Sequence, residues 1–583
     1  MKKRNTSSFL FRYAVLFLLL SAGGFLYAQD TPLVIEGGTL IDGTGSDPVP
    51  MAAIVIENGR FREVATSGQR VSYPPGAKVI QAEGKYVLPG LIDAHVHLRG
   101  WDLELYPAHG VTTVVDTGSP TEWILLQREA VRRGRMKGPR ILASGNILAG
   151  IPPAAERAFQ KPHHTWVDSV EAAREATRRH IQAGVDLIKL YPNLSVDMLK
   201  AIIDEAHAAG LSVVGHVNTA WEAVEVGYDA MFHMGAVAGD LVKDSVTSRD
   251  QFDIHANMDF EKADALIQAM VSKGIYFNHL LRSGWNWAHR EKFQHEDFDL
   301  LFNNIALRYI PLDYRLGILK EYNQVGLYWY QDLSEERRKV VWKAYENSLE
   351  FVRRFARAGG KLLTGSDTIS TGGLSLHQAL EILVKEVGVS PAEAILTVTK
   401  NPAARYGVTK DLGSVEPGKI ADLIILSQNP LQDIRNTRSI ETVIQEGKVL
   451  DISYNPNFVN LIPRPDPERT SHLFPSPVIG KLIPRVTREG SGDLEIQIQG
   501  TGFIPYSSVR FNGQPISSTF VDRFTLGAVI PADLLGQVGT YPIVVANPTG
   551  PTGTITAPGQ TALAVLGVRD EESPAAYFMV GFK

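Results

Sequence analysis

The stretch Val87-Leu-Pro-Gly-Leu-Ile-Asp-Ala-His-Val-His97 is the most informative part of this chain for its fold. An apolar run in it is followed closely by two histidines. The run at 87–92 predicts a β-strand. Side chains two residues apart on a strand point to the same face of the sheet. We therefore expect His95 and His97 to leave the end of this strand side by side, which is a geometry that chelates a divalent metal ion.

Four more polar residues that suit a metal site each come at the end of a short apolar run: Lys189, His216, His233 and Asp367. Each has a structural interpretation when it is taken alone. The lysine could pair with Asp186, either histidine could be hydrogen-bonded in the core, and the aspartate could cap a turn. Their joint occurrence at the ends of successive predicted strands favours one shared metal site.

Short apolar runs alternate with helical segments from residue 91 onward, which is the pattern of βα units around a parallel sheet. Eight runs are predicted strands, the number in a TIM (β/α)8 barrel: 87–92, 111–115, 141–143, 185–190, 211–214, 228–232, 275–277 and 362–364. We assign residues 91–405 to this barrel. Side chains at the strand ends of such a barrel meet at one face, where barrel active sites lie.

The regions on either side of the barrel, residues 29–90 and 406–454, read as short strands with Gly-containing turns. We expect them to pair into one composite β-sandwich. Six prolines in residues 455–478 predict a stiff, extended linker. Residues 479–569 return to alternating β patterns, which favour an immunoglobulin-like sandwich.

A long connection separates the seventh predicted strand from the eighth. Residues 281–335 carry eight Trp and Tyr residues: Trp285, Trp287, Tyr309, Tyr314, Tyr322, Tyr328, Trp329 and Tyr330. A structureless loop of this length is uncommon inside a compact domain. Two interpretations stay open, a packed structural insertion and a lid over the substrate, and its position at the active-site face favours the lid.

Composition narrows the classes of function. The chain has no cysteine, which excludes disulfides, thiolate metal sites and a cysteine nucleophile. Its formal net charge is −5, and no Lys/Arg-rich run occurs beyond the N-terminus, so we expect no nucleic-acid partner. Residues 1–28 combine basic and apolar regions in the pattern of a signal peptide. We expect a periplasmic or secreted protein without a stable membrane span after cleavage, and leave homo-oligomerisation open.

The order His-x-His, Lys, His, His, Asp on eight βα units resembles the amidohydrolase superfamily over about residues 33–451. The segments that carry the resemblance are 87–97, 110–116, 183–189, 227–233 and 415–422. Within the superfamily the chain looks most like the imidazolonepropionase-like and Xaa-Pro dipeptidase (prolidase) branch. Residues 491–494, 500–503, 509–513 and 530–535 resemble an IPT/TIG domain, which is consistent with the immunoglobulin-like fold.

The resemblance implies about two zinc ions per chain, bridged by a carboxylated Lys189. A buried lysine loses its charge readily, and its neutral amine can form a carbamate that binds two cations. By analogy, one metal is held by His95, His97 and Asp367, and the other by His216 and His233. Asp367 is also the expected catalytic residue, which moves a proton from an attacking metal-bound hydroxide to the leaving amine.

The expected function is hydrolysis of a C–N bond, in particular the C-terminal peptide bond of dipeptides or short peptides. A lactonase or arylesterase using the same site stays open, and so does a binding protein with a vestigial barrel. A mononuclear deaminase would leave Lys189 without a role. Tyr191 is a candidate substrate contact. Met234 follows His233 where relatives usually have glycine, so the rim of the site should differ from theirs.

Overall fold

Eight parallel strands form the centre of the computed structural model, and each lies within a few residues of a predicted strand. They are Leu91–Val96, Val111–Asp116, Arg140–Ala143, Leu187–Leu190, Ser212–Gly215, Ala230–Phe232, Tyr276–Asn278 and Leu362–Leu363. The backbone N–H of Ala94 donates to the carbonyl of Thr364 at 3.2 Å, and this bond joins the first strand to the end of the last. Two additional strands, Ile147–Gly150 and His164–Val167, extend the sheet beside Leu187–Leu190.

The structure describes residues 31–581 with gaps, of which the longest are 153–162, 290–332, 368–371, most of 454–476 and most of 548–575. The predicted signal peptide at 1–28 lies outside the described residues. So do most of the predicted insertion at 281–335 and much of the predicted linker at 455–478. Among the described residues, no helix combines the length and the apolar character that crossing a membrane requires.

Helices connect the barrel strands and cover them on the outside. Their bounds are Leu105–Ala108, Thr121–Arg132, Val170–Ala183, Val196–Ala208, Ala220–Val226, Gly235–Leu241, Gln251–Ala256, Phe260–Ser272, Leu281–Ala288, Glu335–Arg357, Leu374–Ile382, Pro391–Leu396 and Lys400–Arg405. A π-helix, Leu383–Val387, continues the helix that ends at Ile382, and 3-10 turns lie at Ile434–Arg438 and Ala532–Leu535.

Local sequence explains where these helices begin and end. The Ser169 side chain accepts a hydrogen bond from the backbone N–H of Ala172, which caps the helix Val170–Ala183 at its start. Gly184 ends the same helix with a φ of 85°, a left-handed conformation that suits glycine. The face of this helix that carries Ala173 and Ala176 is buried against the barrel.

A mixed sheet of eight strands flanks the barrel and combines the two regions that the sequence predicts to pair. Its strands are Leu33–Leu40, Val49–Glu57, Arg60–Ala65, Lys78–Gln81, Tyr86–Pro89, Leu423–Leu426, Ile440–Gln445 and Lys448–Val449. Tyr86–Pro89 lies between the two regions, because it pairs in parallel with Leu33–Leu40 and antiparallel with Leu423–Leu426. The chain passes from this strand directly into the first barrel strand. The structure assigns one sheet here, so a sandwich remains a prediction.

The C-terminal region forms a curled sheet of nine strands around its own apolar core. The strands are Val478–Ile483, Val486–Arg488, Leu494–Thr501, Ser508–Phe511, Gln514–Asp522, Thr525–Ile530, Gly539–Asn547, Glu571–Glu572 and Ala576–Gly581. A separate hairpin consists of Gly553–Ile555 and Leu563–Val565. The sequence predicts that the C-terminal module ends at residue 569, but the strand Ala576–Gly581 also belongs to its sheet. Phe578 and Val580 of this strand are buried in the same core. The resemblance to an IPT/TIG domain remains a prediction.

Candidate metal centre

The six predicted ligands converge at the end of the barrel where the parallel strands finish. His95 is the last residue but one of the first strand, and its Nε2 is 3.3 Å from the Nε2 of His97. Asp367 follows the last strand, and its Oδ1 lies 3.5 Å from the Nε2 atoms of both His95 and His97. Its Oδ2 lies 3.5 Å from the Nε2 of His233. One carboxylate therefore lies between histidines from the first and sixth strands.

The donor atoms of His95, His233 and Asp367 lie within 4.8 Å of one another, which is close enough to hold a metal ion. The resemblance assigns His233 to the second metal together with His216. The His216 and His233 rings are neighbours, with centroids 4.5 Å apart. Asp367 thus bridges the two predicted ligand sets.

Lys189 is the most unusual residue of the cluster. Only 1% of it is exposed, and its Nζ has no hydrogen-bond partner among the described residues. The Nζ lies 4.2 Å from the centroid of the Phe232 ring. Burial lowers the pKa of Lys189 to about 7, although the nearby Asp367 opposes the shift. An unpaired buried ammonium is costly, so this environment favours the neutral amine.

The histidines are held in the neutral form that binds metals. Burial lowers the pKa of His95 and His216 well below the ordinary value. Burial is also the main reason that the pKa of His233 is lowered to about 3. Neutral imidazole is the metal ligand, so none of these three residues has to lose a proton before it binds at neutral pH.

Unusual backbone conformations place two of the ligands. His233 has a φ of 65° and Asp367 a φ of 44°, both in the left-handed region that non-glycine residues seldom adopt. Such conformations cost free energy and concentrate at functional sites. The Asp367 backbone N–H donates to the His95 carbonyl at 2.9 Å, which fixes the turn after the last strand.

A supporting set of residues surrounds the ligands, and the sequence patterns did not reveal it. The side-chain oxygen of Asn278 accepts a hydrogen bond from the Gly365 N–H at 3.2 Å. The backbone carbonyl of Asn278 accepts one from the His233 N–H at 3.0 Å. Asp93 is fully buried and accepts from the N–H groups of His95 and Ser366. Burial raises the pKa of Asp93 to about 7. Asp93 and Asn278 each come directly after a predicted strand, at 87–92 and 275–277, but the sequence analysis did not single them out.

Gly365 is required because His95 packs directly against it. A Cβ atom at residue 365 would lie 2.4 Å from the His95 Cβ and 2.8 Å from the His95 backbone nitrogen. These separations are too short for any side chain larger than hydrogen. The residue therefore allows the last strand to approach the first at the ligand His95.

Tyr191 and two buried histidines outside the proposed ligand set also have defined places. The Tyr191 ring lies 4.3 Å from the His216 ring and 5.3 Å from the His164 ring, so the candidate substrate contact does border the cluster. His377 is buried and hydrogen-bonds Thr437 and the His109 carbonyl, which suits a structural role. His279 is also buried, and its Nδ1 accepts from the Leu281 N–H at 3.1 Å.

The donor set and the unpaired buried atoms suit divalent metal ions. The Nζ of Lys189 and the Nδ1 atoms of His95 and His216 are buried without hydrogen-bond partners among the described residues. Imidazole nitrogen and carboxylate oxygen are the donors that zinc accepts when no thiolate is present. The side chains of His97, His233 and Asp367 are 22%, 26% and 20% exposed, so the cluster is open on one side to a substrate.

Comparisons with known proteins agree with the fold. A family model described as "Amidohydrolase family" matches residues 106–231 and 343–450. An adenine deaminase of Paracoccus denitrificans is 22% identical over 423 residues, which cover 72% of this chain and 57% of the deaminase. An ochratoxinase of Aspergillus niger is 23% identical over 479 residues, covering 72% of this chain and 84% of that protein.

A solved prolidase structure, in complex with N-methylphosphonate-L-proline, is also similar. It is 25% identical, has a TM-score of 0.52, and the match covers 72% of this chain and 99% of the prolidase. The chain spans only 57% of the length of the adenine deaminase. These matches show that the barrel region is similar to proteins of the amidohydrolase family.

Proposed function

We propose that this relative of the amidohydrolases is an exported metal-dependent hydrolase that cleaves the C-terminal peptide bond of dipeptides or short peptides. One observation carries the proposal, which is a fully buried lysine without a hydrogen-bond partner among four histidines and an aspartate. A charged lysine would be a costly structural residue at this position. If carboxylated, Lys189 would instead supply an anionic ligand for the metal site.

The chain's own residues divide the work of hydrolysis between them. His95, His97, His216, His233, Asp367 and the carboxylated Lys189 would hold the metals. Bound divalent metal ions lower the pKa of water and polarise a carbonyl group. Asp367 is one-fifth exposed and lies against three imidazoles, so its carboxylate can accept the proton of the attacking water and deliver it to the departing amine.

Tyr191 borders the cluster, with its ring centroid 4.3 Å from that of His216, which supports the proposal that it contacts the substrate. Burial raises the pKa of Tyr191, with a further contribution from the Asp367 charge, so its hydroxyl stays protonated at neutral pH. A protonated hydroxyl beside the metal ligands can donate a hydrogen bond to a carbonyl oxygen. We assign it a positioning role in the proposed reaction.

Deamination is a second candidate, because the adenine deaminase match extends over 72% of the chain. It would also break a C–N bond. The segment after His216 reads Val217-Asn-Thr219 and has no adjacent acidic residue of the kind expected for a mononuclear deaminase. A binuclear site would make Lys189 essential, whereas a mononuclear site would not.

A hydrolysis screen tests the proposal. Zinc-loaded protein is assayed against dipeptides, N-acyl amino acids, adenine, lactones and aryl esters, with Asp367→Asn as the matched inactive control. We expect turnover of dipeptides or N-acyl amino acids that Asp367→Asn abolishes. Turnover confined to adenine would favour the second candidate. Turnover of none of these compounds by a metal-loaded protein would refute both.

A further inference from the structure

A cavity of about 230 Å³ adjoins the metal centre at His233. Residues of three helices line much of it: Gln251–Ala256, Leu281–Ala288 and Glu335–Arg357. Because His233 is both a ligand and part of the wall, a substrate held at the metals can extend directly into this space.

The walls of the cavity are mainly apolar. Phe252, Leu281, Val341 and Ala344 face it, together with Met234, the residue that follows the ligand His233. No Arg, Lys, Asp or Glu occurs among the described residues that line it. A charged group that packs against these walls would lose part of its hydration without gaining an opposite charge, which is unfavourable.

The polar groups of the cavity are neutral or already engaged. The Nδ1 of His255 lies 3.3 Å from the Ser348 hydroxyl, and burial lowers the pKa of His255 to about 4. The imidazole is therefore uncharged at neutral pH. The Tyr345 hydroxyl donates to the Glu386 carboxylate at 2.9 Å, so the phenol presents its ring to the cavity.

Size restricts the group that fits. An engineered protein cavity of about 150 Å³ binds benzene, whereas sites for drug-sized ligands measure about 300–1,000 Å³. A volume of about 230 Å³ lies between these values. It suits one aromatic ring or branched aliphatic side chain with its linking methylene.

We propose that this cavity is the specificity pocket of the enzyme and receives an uncharged aromatic or branched aliphatic side chain next to the scissile bond. The inference rests on the proposed function and names its substrate class. Peptides with a bulky apolar residue on one side of the bond are the preferred substrates, and those with Asp, Glu, Lys or Arg at that position are rejected.

Filling the cavity tests the proposal. Ala344 is 3% exposed and lines the cavity, so Ala344→Phe places a ring inside it. The neighbouring Lys343 has a side chain that is 57% exposed, and Lys343→Phe adds the same ring outside as the control. The substrates are Gly-Gly and paired Gly-Xaa and Xaa-Gly peptides, in which Xaa is Phe, Leu, Asp or Lys.

In one of the two peptide series, Gly-Xaa or Xaa-Gly, the wild-type enzyme and Lys343→Phe should cleave the peptides with Phe or Leu as Xaa faster than those with Asp or Lys. The difference in kcat/KM should be about tenfold or more. Ala344→Phe should remove that preference by raising KM for the Phe and Leu peptides, with metal content retained. Ala344→Leu, a smaller extension, takes its place if Ala344→Phe does not fold. Equal kcat/KM for Phe and Asp in wild type, or a preference unaffected by filling, overturns the proposal.

Binding of benzyl alcohol, measured by ligand-observed NMR, separates this inference from the proposed function. Benzyl alcohol has no hydrolysable bond. If no peptide is cleaved but Ala344→Phe abolishes benzyl alcohol binding and Lys343→Phe does not, the pocket stands and the proposed function fails. If peptides are cleaved and benzyl alcohol does not bind the wild-type protein, the pocket proposal fails alone.

Discussion

At the scale of single residues, the site depends on groups that would be unfavourable anywhere else. Lys189 is buried without a hydrogen-bond partner among the described residues, and His233 and Asp367 adopt left-handed backbone conformations. Each feature costs stability, and the costs are concentrated at one end of the barrel. Metal binding to the folded protein would offset them, because a ligand that binds only the native state stabilises it.

Lys189→Ala should reduce bound metal to less than about half of the wild-type content and lower turnover by more than about 100-fold. Even residues that only support metal ligands contribute about 10–100-fold to metal affinity or activity. Metal analysis and peptide hydrolysis measure the two effects. Added acetate or propionate, with bicarbonate omitted, should restore part of both. Lys200→Ala, at an exposed lysine of the next helix, is the control. Wild-type metal content and turnover in Lys189→Ala would mean that the lysine is structural.

Gly365→Ala should lower zinc affinity by about 10–100-fold, because the added Cβ would force His95 away from Asp367. A competition titration with a zinc-binding dye measures the change. Gly239→Ala is the control, since nothing lies within 4 Å of the Cβ position at residue 239. An unchanged zinc affinity in Gly365→Ala would show that the contact with His95 can relax at no cost to the site.

The convergence of the six proposed ligands could be predicted from sequence because each one ends an apolar run, and strand ends of a parallel barrel meet at one face. Gly365 and Asn278 could not, because their importance depends on which strands touch across the barrel. The same holds for Ala344 and His255 of the cavity. They lie on helices far apart in sequence, and no local pattern brings them together.

At the scale of elements, the described residues of the predicted linker behave differently from a free tether. The Asn460 side chain donates to the Gly100 carbonyl at 2.8 Å. The Ile462 carbonyl accepts from the Trp123 indole at 3.0 Å. The Arg464 guanidinium donates to the Leu98 carbonyl at 2.6 Å and lies 4.8 Å from the Trp123 ring. These contacts fix the loop that follows the proposed ligand His97.

The proline content of residues 455–478 predicts an extended segment. It could not show that the segment packs on the barrel, because that packing depends on tertiary contacts. Barrel strands and their helices were predictable because their periodicity is local. The aromatic residues at 290–332 lie outside the described residues. Whether they form a lid remains a prediction.

Arg464→Met should lower the stability of the barrel by about 1–3 kcal/mol, because it removes a charged donor from a partly buried hydrogen bond. Zinc affinity should fall with it, since the loop after His97 loses its support. Thermal unfolding and zinc titration measure the two effects. Arg135→Met, at an exposed arginine, is the control. Unchanged stability and unchanged zinc affinity would show that the docked segment does not support the site.

At the scale of the whole molecule, the described C-terminal sheet has its own core and contributes no residue to the metal cluster. The buried side chains Ile498, Phe511, Val545 and Phe578 belong to that core. All six proposed ligands precede residue 368. We therefore treat the C-terminal module as accessory to hydrolysis.

Truncation after Pro475 should leave the hydrolysis of small peptides within about twofold of the full chain, because effects of distant, independent regions are usually additive. Truncation after Asp451 should also remove the docked residues 460–464 and should lower thermal stability. Circular dichroism and peptide hydrolysis compare the two proteins. A folded protein ending at Pro475 that has lost most of its turnover would show that the C-terminal module contributes to the active site.

The metal content of the purified protein tests the central claim most directly. Elemental analysis should find about two zinc ions per chain, since six ligands converge at one barrel end. Chelation should abolish peptide hydrolysis, and zinc should restore it. A protein that binds no transition metal, and gains no hydrolytic activity when zinc is added, would contradict the account.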